Sequence, residues 1–147
     1  MSRLKEIIHN LEKYPIKGAF QLYPNDILSR VCNIPVRKDY SGIYLFYDDN
    51  GNLIYVGISG REGLSEEIIH RKDGLRGRFL TGKQFGDKRS RTLPNEMKKD
   101  GFAFIEVKWF VTYGDKYRDI PRKIEETIIQ LFKSENYFNR PKWNKKD

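Results

Sequence analysis

Cysteine is nearly absent from this chain of 147 residues: Cys32 stands alone. No disulfide can form within the chain, and an intracellular, cytoplasmic location is the simplest expectation. Histidine is almost as scarce, with only His9 and His70, so the four-ligand Cys/His sites that hold structural zinc are excluded. No apolar run approaches the ~20 residues of a membrane span. The N-terminus lacks the long apolar stretch of a signal peptide, and no membrane partner is expected. Internal repeats, low-complexity tracts and linkers are also missing, so residues 1–147 are expected to form a single domain.

Aromatic residues are plentiful. They make up 14% of the chain, with nine Tyr and nine Phe, within a hydrophobic content of 38%. That is enough to build a core. Charge is unbalanced, with a formal net charge of +8. A basic excess on a small domain points to a polyanionic partner, most often nucleic acid. The basic residues also cluster. Eight Lys or Arg fall between Arg71 and Arg91, against only Asp73 and Asp87. Arg71, Lys72, Arg76, Lys83, Lys88, Arg89 and Arg91 are therefore the candidate DNA contacts.

Periodicity divides the chain. Residues 1–40 form a helical extension, with one amphipathic helix over 2–13 (Leu4, Ile7, Ile8, Leu11) and a short second helix from Asn25 to Val31 capped by Asn25. Gly42–Tyr47 and Leu53–Ile58 read as a hairpin closed by a two-residue Asn50-Gly51 loop. Residues 59–74 read as a loop with a helical turn at 65–70, and Leu75–Leu80 as a helix. Residues 82–95 look irregular and basic. Phe102–Tyr113 is a long strand with Ala103, Ile105, Val107, Trp109 and Val111 on one face. Asp119 and Pro121 open a last helix with a buried stripe of Ile124, Ile128, Leu131 and Phe132. The class is α/β in the α+β sense: a small antiparallel or mixed sheet of about three strands flanked by helices.

The hairpin carries the chemical signal. With the Asn50-Gly51 loop, Leu45 pairs with Val56 and Ile43 with Ile58. Ile43, Leu45, Ile54, Val56 and Ile58 then share a core face. Tyr44 and Tyr55 converge on the other, less buried face, diagonal to one another. Gly57, opposite Tyr44, leaves room for a close approach to the backbone.

Gly42-Ile43-Tyr44 followed by Tyr55-Val56-Gly57 resembles the paired signature of the GIY-YIG nucleases. The resemblance covers roughly residues 41–144, a nuclease core, with Val in place of Ile in the second triplet. It implies a GIY-YIG-like fold and a metal-dependent DNA endonuclease that uses Mg²⁺ or Mn²⁺ and no nucleotide cofactor. It also implies an Arg after the hairpin to steady the phosphate, a Glu on a later helix to hold the metal, and an Asn near the end. Leu75-Arg76-Gly77-Arg78 supplies Arg78, with Arg76 as the alternative. Ile124-Glu125-Glu126-Thr127-Ile128-Ile129 supplies Glu125, with Glu126 as the alternative. Pro141-Lys142-Trp143-Asn144 supplies Asn144. The gap before Pro141 is about two helical turns longer than usual, which makes Asn139 the alternative. The catalytic set implied is thus Tyr44, Tyr55, Arg78, Glu125 and Asn144. Two positions depart from the family: Gly82 stands where many members carry His or Tyr, and Ile58 where some carry Lys. His70, Lys72 and Lys83 are the substitutes to consider.

The compact size suggests a restriction-type enzyme, for which cutting both strands favours a homodimer. A structure-specific or mobile-element nuclease, or a non-catalytic DNA-binding module on a nuclease scaffold, are the alternatives. A separate nuclease reading would use Glu106-Val107-Lys108 with Asp100 or Asp87.

Overall fold

The computed structural model describes residues 2–62, 68–70 and 73–144. Helix α1 (Arg3–Asn10) opens the chain, and the Ser2 hydroxyl accepts from the Lys5 N–H at its N-terminus. A 3₁₀ turn, Leu11–Lys13, follows. Strand β1 (Lys17–Leu22) comes next, then the single turn α2 (Leu28–Val31). Strands β2 (Ser41–Tyr47) and β3 (Leu53–Ser59) form the hairpin. Helices α3 (Gly74–Thr81) and α4 (Arg89–Asp100) lead to β4 (Ile105–Tyr113) and the long α5 (Pro121–Glu135).

The four strands make one antiparallel sheet in the order β1-β4-β2-β3. The class is α+β, with one strand more than expected. The extra strand, β1, lies inside the region read as a helical extension and pairs along β4 from Lys17↔Phe110 to Leu22↔Ile105. Its exposure alternates only weakly, so no clear two-residue period marks it in the sequence. The second helix is also shorter than expected. It starts at Leu28 and not Asn25, because Asp26 closes a turn by accepting from the Tyr23 N–H at 2.8 Å.

Helices cover both sides of the sheet. On one side Tyr44, Phe46, Val107, Trp109 and Val111 meet Leu75 and Phe79 of α3 and Leu93 and Met97 of α4. On the other, Ile43, Leu45, Val56 and Phe110 meet Leu4 of α1 and Ile128 of α5. The face expected to be less buried is therefore core as well. Its centre is Phe79, which meets the rings of Phe20, Tyr44 and Phe46 edge-on at 5.7, 5.4 and 6.0 Å. Removing such a ring costs about 3–5 kcal/mol.

Helix α4 runs through residues expected to be irregular. Pro94 lies inside it, where a missing N–H and ring clash cost about 3 kcal/mol. Burial of Arg89, Leu93 and Met97 at every fourth position offsets this. Gly101, at φ 74°, ends the helix, with the Phe102 N–H donating to the Met97 carbonyl. Before α4, Lys83–Gln84 and Asp87–Lys88 form a small ribbon. The helical turn expected at 65–70 is not seen over Ile68–Ile69, which pairs as a strand with Arg61–Glu62; residues 65–67 lie outside the described residues. Among the described residues no helix is long and apolar enough to cross a membrane.

Candidate active site

The hairpin register matches expectation from Gly42↔Ser59 to Phe46↔Tyr55. It then slips, and Tyr47 pairs with Leu53. The loop is the cause. Asp48 and Asn52 bracket three residues, with the Gly51 N–H donating to the Asp48 carbonyl at 3.0 Å and Gly51 at φ 80°. This is a longer turn than the two-residue loop, and it leaves a bulge at Ile54. Leu53 takes the place in the α5-side core that Ile54 was expected to fill, while Ile54 packs on the Tyr44 side.

Tyr44 and Tyr55 lie on one side of the hairpin, as the pattern requires. Their rings stack with centroids 6.3 Å apart and planes 24° from parallel. Gly57 faces Tyr44 across the strands. A Cβ there would collide with both phenol rings, so its missing side chain makes room for the tyrosines and not for an incoming backbone. Tyr44 is sealed at 1% exposure; Tyr55 is half-buried.

Beneath the phenols sits Arg89, 1% exposed. Its Nη2 donates to Tyr44 Oη at 3.0 Å and Tyr55 Oη at 3.5 Å. Its Nη1 donates to the carbonyls of Arg78 and Phe79, and its Nε to Gln84 Oε1. A buried side chain cannot meet DNA phosphates, so Arg89 is not the DNA contact expected of it. Gly82 is explained by the same group: a Cβ there would stand 2.5 Å from Arg89 Nη1 and from the Arg78 carbonyl. Arg78 is half-buried beside it, its Cζ 3.5 Å from that Cβ position.

Tyr55 also lines a groove of about 710 Å³ together with Phe85, Arg122, Glu125, Glu126, Arg140, Trp143 and Asn144. Burial, reinforced by the Glu126 charge, pushes the Glu125 carboxyl up to about 7, against the pull of Arg122 and Arg140. Glu126 is exposed and paired with Arg122 at 3.0 Å. Tyr44 and Arg78 do not line this groove. Tyr55 is the member shared by the Arg89 cluster and the Glu125 groove.

The donor set bears on a metal. No group of three His, Cys, Asp or Glu comes together among the described residues, so an all-protein cage is not built there. Of the two carboxylates that line the groove, Glu126 is paired with Arg122 and Glu125 is not. One such carboxylate in a groove with room for water fits Mg²⁺, which keeps most of its waters and takes one or two protein oxygens. Glu125 would be that ligand.

Several expected residues take structural positions. Arg76 donates to the backbone carbonyls of Ser29, Cys32 and Ile34, tying α3 to the end of α2. The Asn144 carboxamide pairs with both backbone groups of Val56, at 2.9 and 3.0 Å. Asn139 is exposed and does not line the groove. His70 bonds the buried Ser41 hydroxyl through Nδ1 and meets the Tyr113 ring. Lys83 and Lys88 are exposed on the small ribbon, and Arg91 pairs with Asp87 at 3.5 Å. Arg71 and Lys72 lie outside the described residues. Of the alternative Glu106-Lys108 motif, Asp100 is held by Trp143 Nε1 and Lys142, and Asp87 by the Lys88 N–H and Arg91.

Sequence reasoning missed the inward turn of Arg89 and the groove positions of Arg122 and Arg140. Only the four-residue spacing of Arg89, Leu93 and Met97 could have exposed the first. Comparison of the chain with family models, with curated proteins and with solved structures finds no match.

Proposed function

We propose that the chain is a metal-dependent DNA endonuclease of the GIY-YIG type, hydrolysing phosphodiester bonds. The observation that carries this reading is the meeting of the paired phenols with a carboxylate groove at Tyr55. A phosphodiesterase needs a cation near the phosphate, a carboxylate for a metal, and a group to orient or deprotonate water. Arg78, Glu125 and the phenols are the candidates for these tasks. Bound at Glu125, Mg²⁺ would supply charge to the phosphate. Because Tyr44 is buried and Tyr55 lines the groove, the groove-facing part is proposed for Tyr55, with Tyr44 behind it. Exposed Lys83 and Lys88, together with the net charge of +8, favour a phosphate backbone as partner. A compact restriction-type enzyme, active as a homodimer, is the specific form proposed.

The test is incubation with plasmid DNA and Mg²⁺ or Mn²⁺, with the ends sequenced. Metal-dependent cutting that is lost in Glu125→Gln supports the reading. DNA binding without cutting in any divalent metal would leave a binding module. Cutting that survives both Glu125→Gln and Tyr55→Phe would place the chemistry elsewhere.

A further inference from the structure

Arg89 is the only Lys or Arg buried among the described residues. A guanidinium has five N–H donors, and all five are placed: on Gln84 Oε1, on the Arg78 and Phe79 carbonyls, and on the two phenol oxygens. Every acceptor is neutral. No carboxylate pairs with Arg89 among the described residues. A cation stripped of water costs several kcal/mol unless it is compensated. The carbonyls at the C-terminal end of α3 supply part of that compensation. A helix cap would need only Nη1. Nη2 instead straddles Tyr44 and Tyr55.

The direction of these bonds matters. A phenol oxygen that accepts from a guanidinium must turn its own proton elsewhere. For Tyr55, which lines the groove, the open direction is toward a bound water or phosphate oxygen. We propose that Arg89 is a positioning residue for the phenol pair: its fork holds both oxygens as acceptors, fixes the rings against α3, and aims the Tyr55 hydroxyl into the groove. Resting on the nuclease reading, this gives Arg89 a part in cutting although it touches no substrate. The same fork grips the Arg78 main chain, so one side chain sets phenols and phosphate-binding arginine in register. The charged groups that act on Tyr55 are Arg89 on α4 and Glu125 on α5: burial raises the Tyr55 phenol, Arg89 opposes the rise, and Glu125 adds to it.

The experiment combines tyrosine labelled with ¹³C at Cζ, whose shift reports phenol hydrogen bonding, with steady-state cutting of plasmid. Tyr44→Phe and Tyr55→Phe assign the two resonances among nine. Arg89→Gln should move both, leave the other seven in place, and lower kcat roughly a hundredfold with KM within about twofold. Arg89→Lys keeps the charge but has too few donors to span every partner. It should move both resonances less and cost roughly tenfold in kcat. If Arg89→Gln does not fold, Arg89→Lys alone decides. Phenol resonances unmoved in the folded variants, or unchanged kcat beside a slow Tyr55→Phe, would overturn the proposal. Should the wild type cut no DNA, the nuclease reading fails, and the resonances still decide whether Arg89 holds the phenols.

Discussion

Glu125 should weaken the fold it belongs to. Its carboxyl, ordinarily near 4.5, is pushed to about 7 by burial and by Glu126. A carboxyl with a raised folded pKa binds its proton more tightly in the folded state. Below pH 4.5 both folded and unfolded chains are protonated there, and the group costs nothing. As pH climbs from 4.5 to about 7 the unfolded chain ionises first, and stability falls. Above 7 the penalty is complete. At 1.36 kcal/mol per pH unit it reaches about 3 kcal/mol, a ceiling, because Glu125 lines an open groove and water shares the charge. Glu125→Gln keeps the shape and removes the ionisation. At pH 8 it should melt roughly 10 °C above the wild type, and at pH 5 within about 2 °C of it. Added Mg²⁺ should raise the wild type alone at pH 8, since the ion would neutralise the charge that only Glu125 carries. Thermal unfolding across pH 5–8, with and without Mg²⁺, measures all of this. Equal melting temperatures at pH 8, or parallel pH profiles for the two proteins, would refute the reasoning.

Further outcomes follow from the geometry. Arg78→Lys should leave stability within about 1 kcal/mol but slow single-turnover cutting at least roughly tenfold, because an ammonium cannot copy a bidentate fork on phosphate; an unchanged rate would remove Arg78 from the site. Arg76→Ala should lose about 2 kcal/mol in urea denaturation, having dropped three backbone carbonyls; normal stability with weakened DNA binding would return it to the phosphate contacts. Lys88→Ala should leave folding alone and lower the salt slope of DNA binding by about one; an unaltered slope in a binding titration would take the ribbon out of the interface.

The hairpin was legible because two demands coincide there: apolar alternation and the tyrosine signature both require the same register from residue 42 to 46. Past Phe46 they separate. Asn50-Gly51 favours a two-residue loop, but Asp48 accepts from the Asn50 and Asn52 N–H groups and closes a wider turn. That local competition sends Leu53 inward in place of Ile54. Helix α5 was legible from its start at Pro121 and its apolar stripe. Helix α4 was not, because its buried face begins with a charge and its interior holds Pro94. The candidate site divides in the same way. Residue identity pointed to Tyr55 and Glu125, which do meet at one groove. It could not show which arginines of a basic run are spent on the protein's own backbone. Arg76 and Arg89 are, and only the packing of α2, α3 and α4 decides that.

The clasp of Asn144 on Val56 has a consequence for how molecules meet. β3 is the outer strand of the sheet, and an outer strand offers unpaired backbone groups to any extended chain that drifts against it. Here the last described turn folds back. The Trp143 N–H donates to the Ile54 carbonyl, and the Asn144 carboxamide answers both Val56 groups as a neighbouring strand would. With Trp143 sunk at 2% exposure, this stretch is a plug against edge-to-edge polymerisation. The plug leaves the groove face open while denying neighbouring copies the Ile54–Val56 stretch of β3; β1, at the far end of the sheet, is the other outer strand. If copies of this chain pair on DNA, as proposed, the covered stretch of β3 is not where their sheets would join.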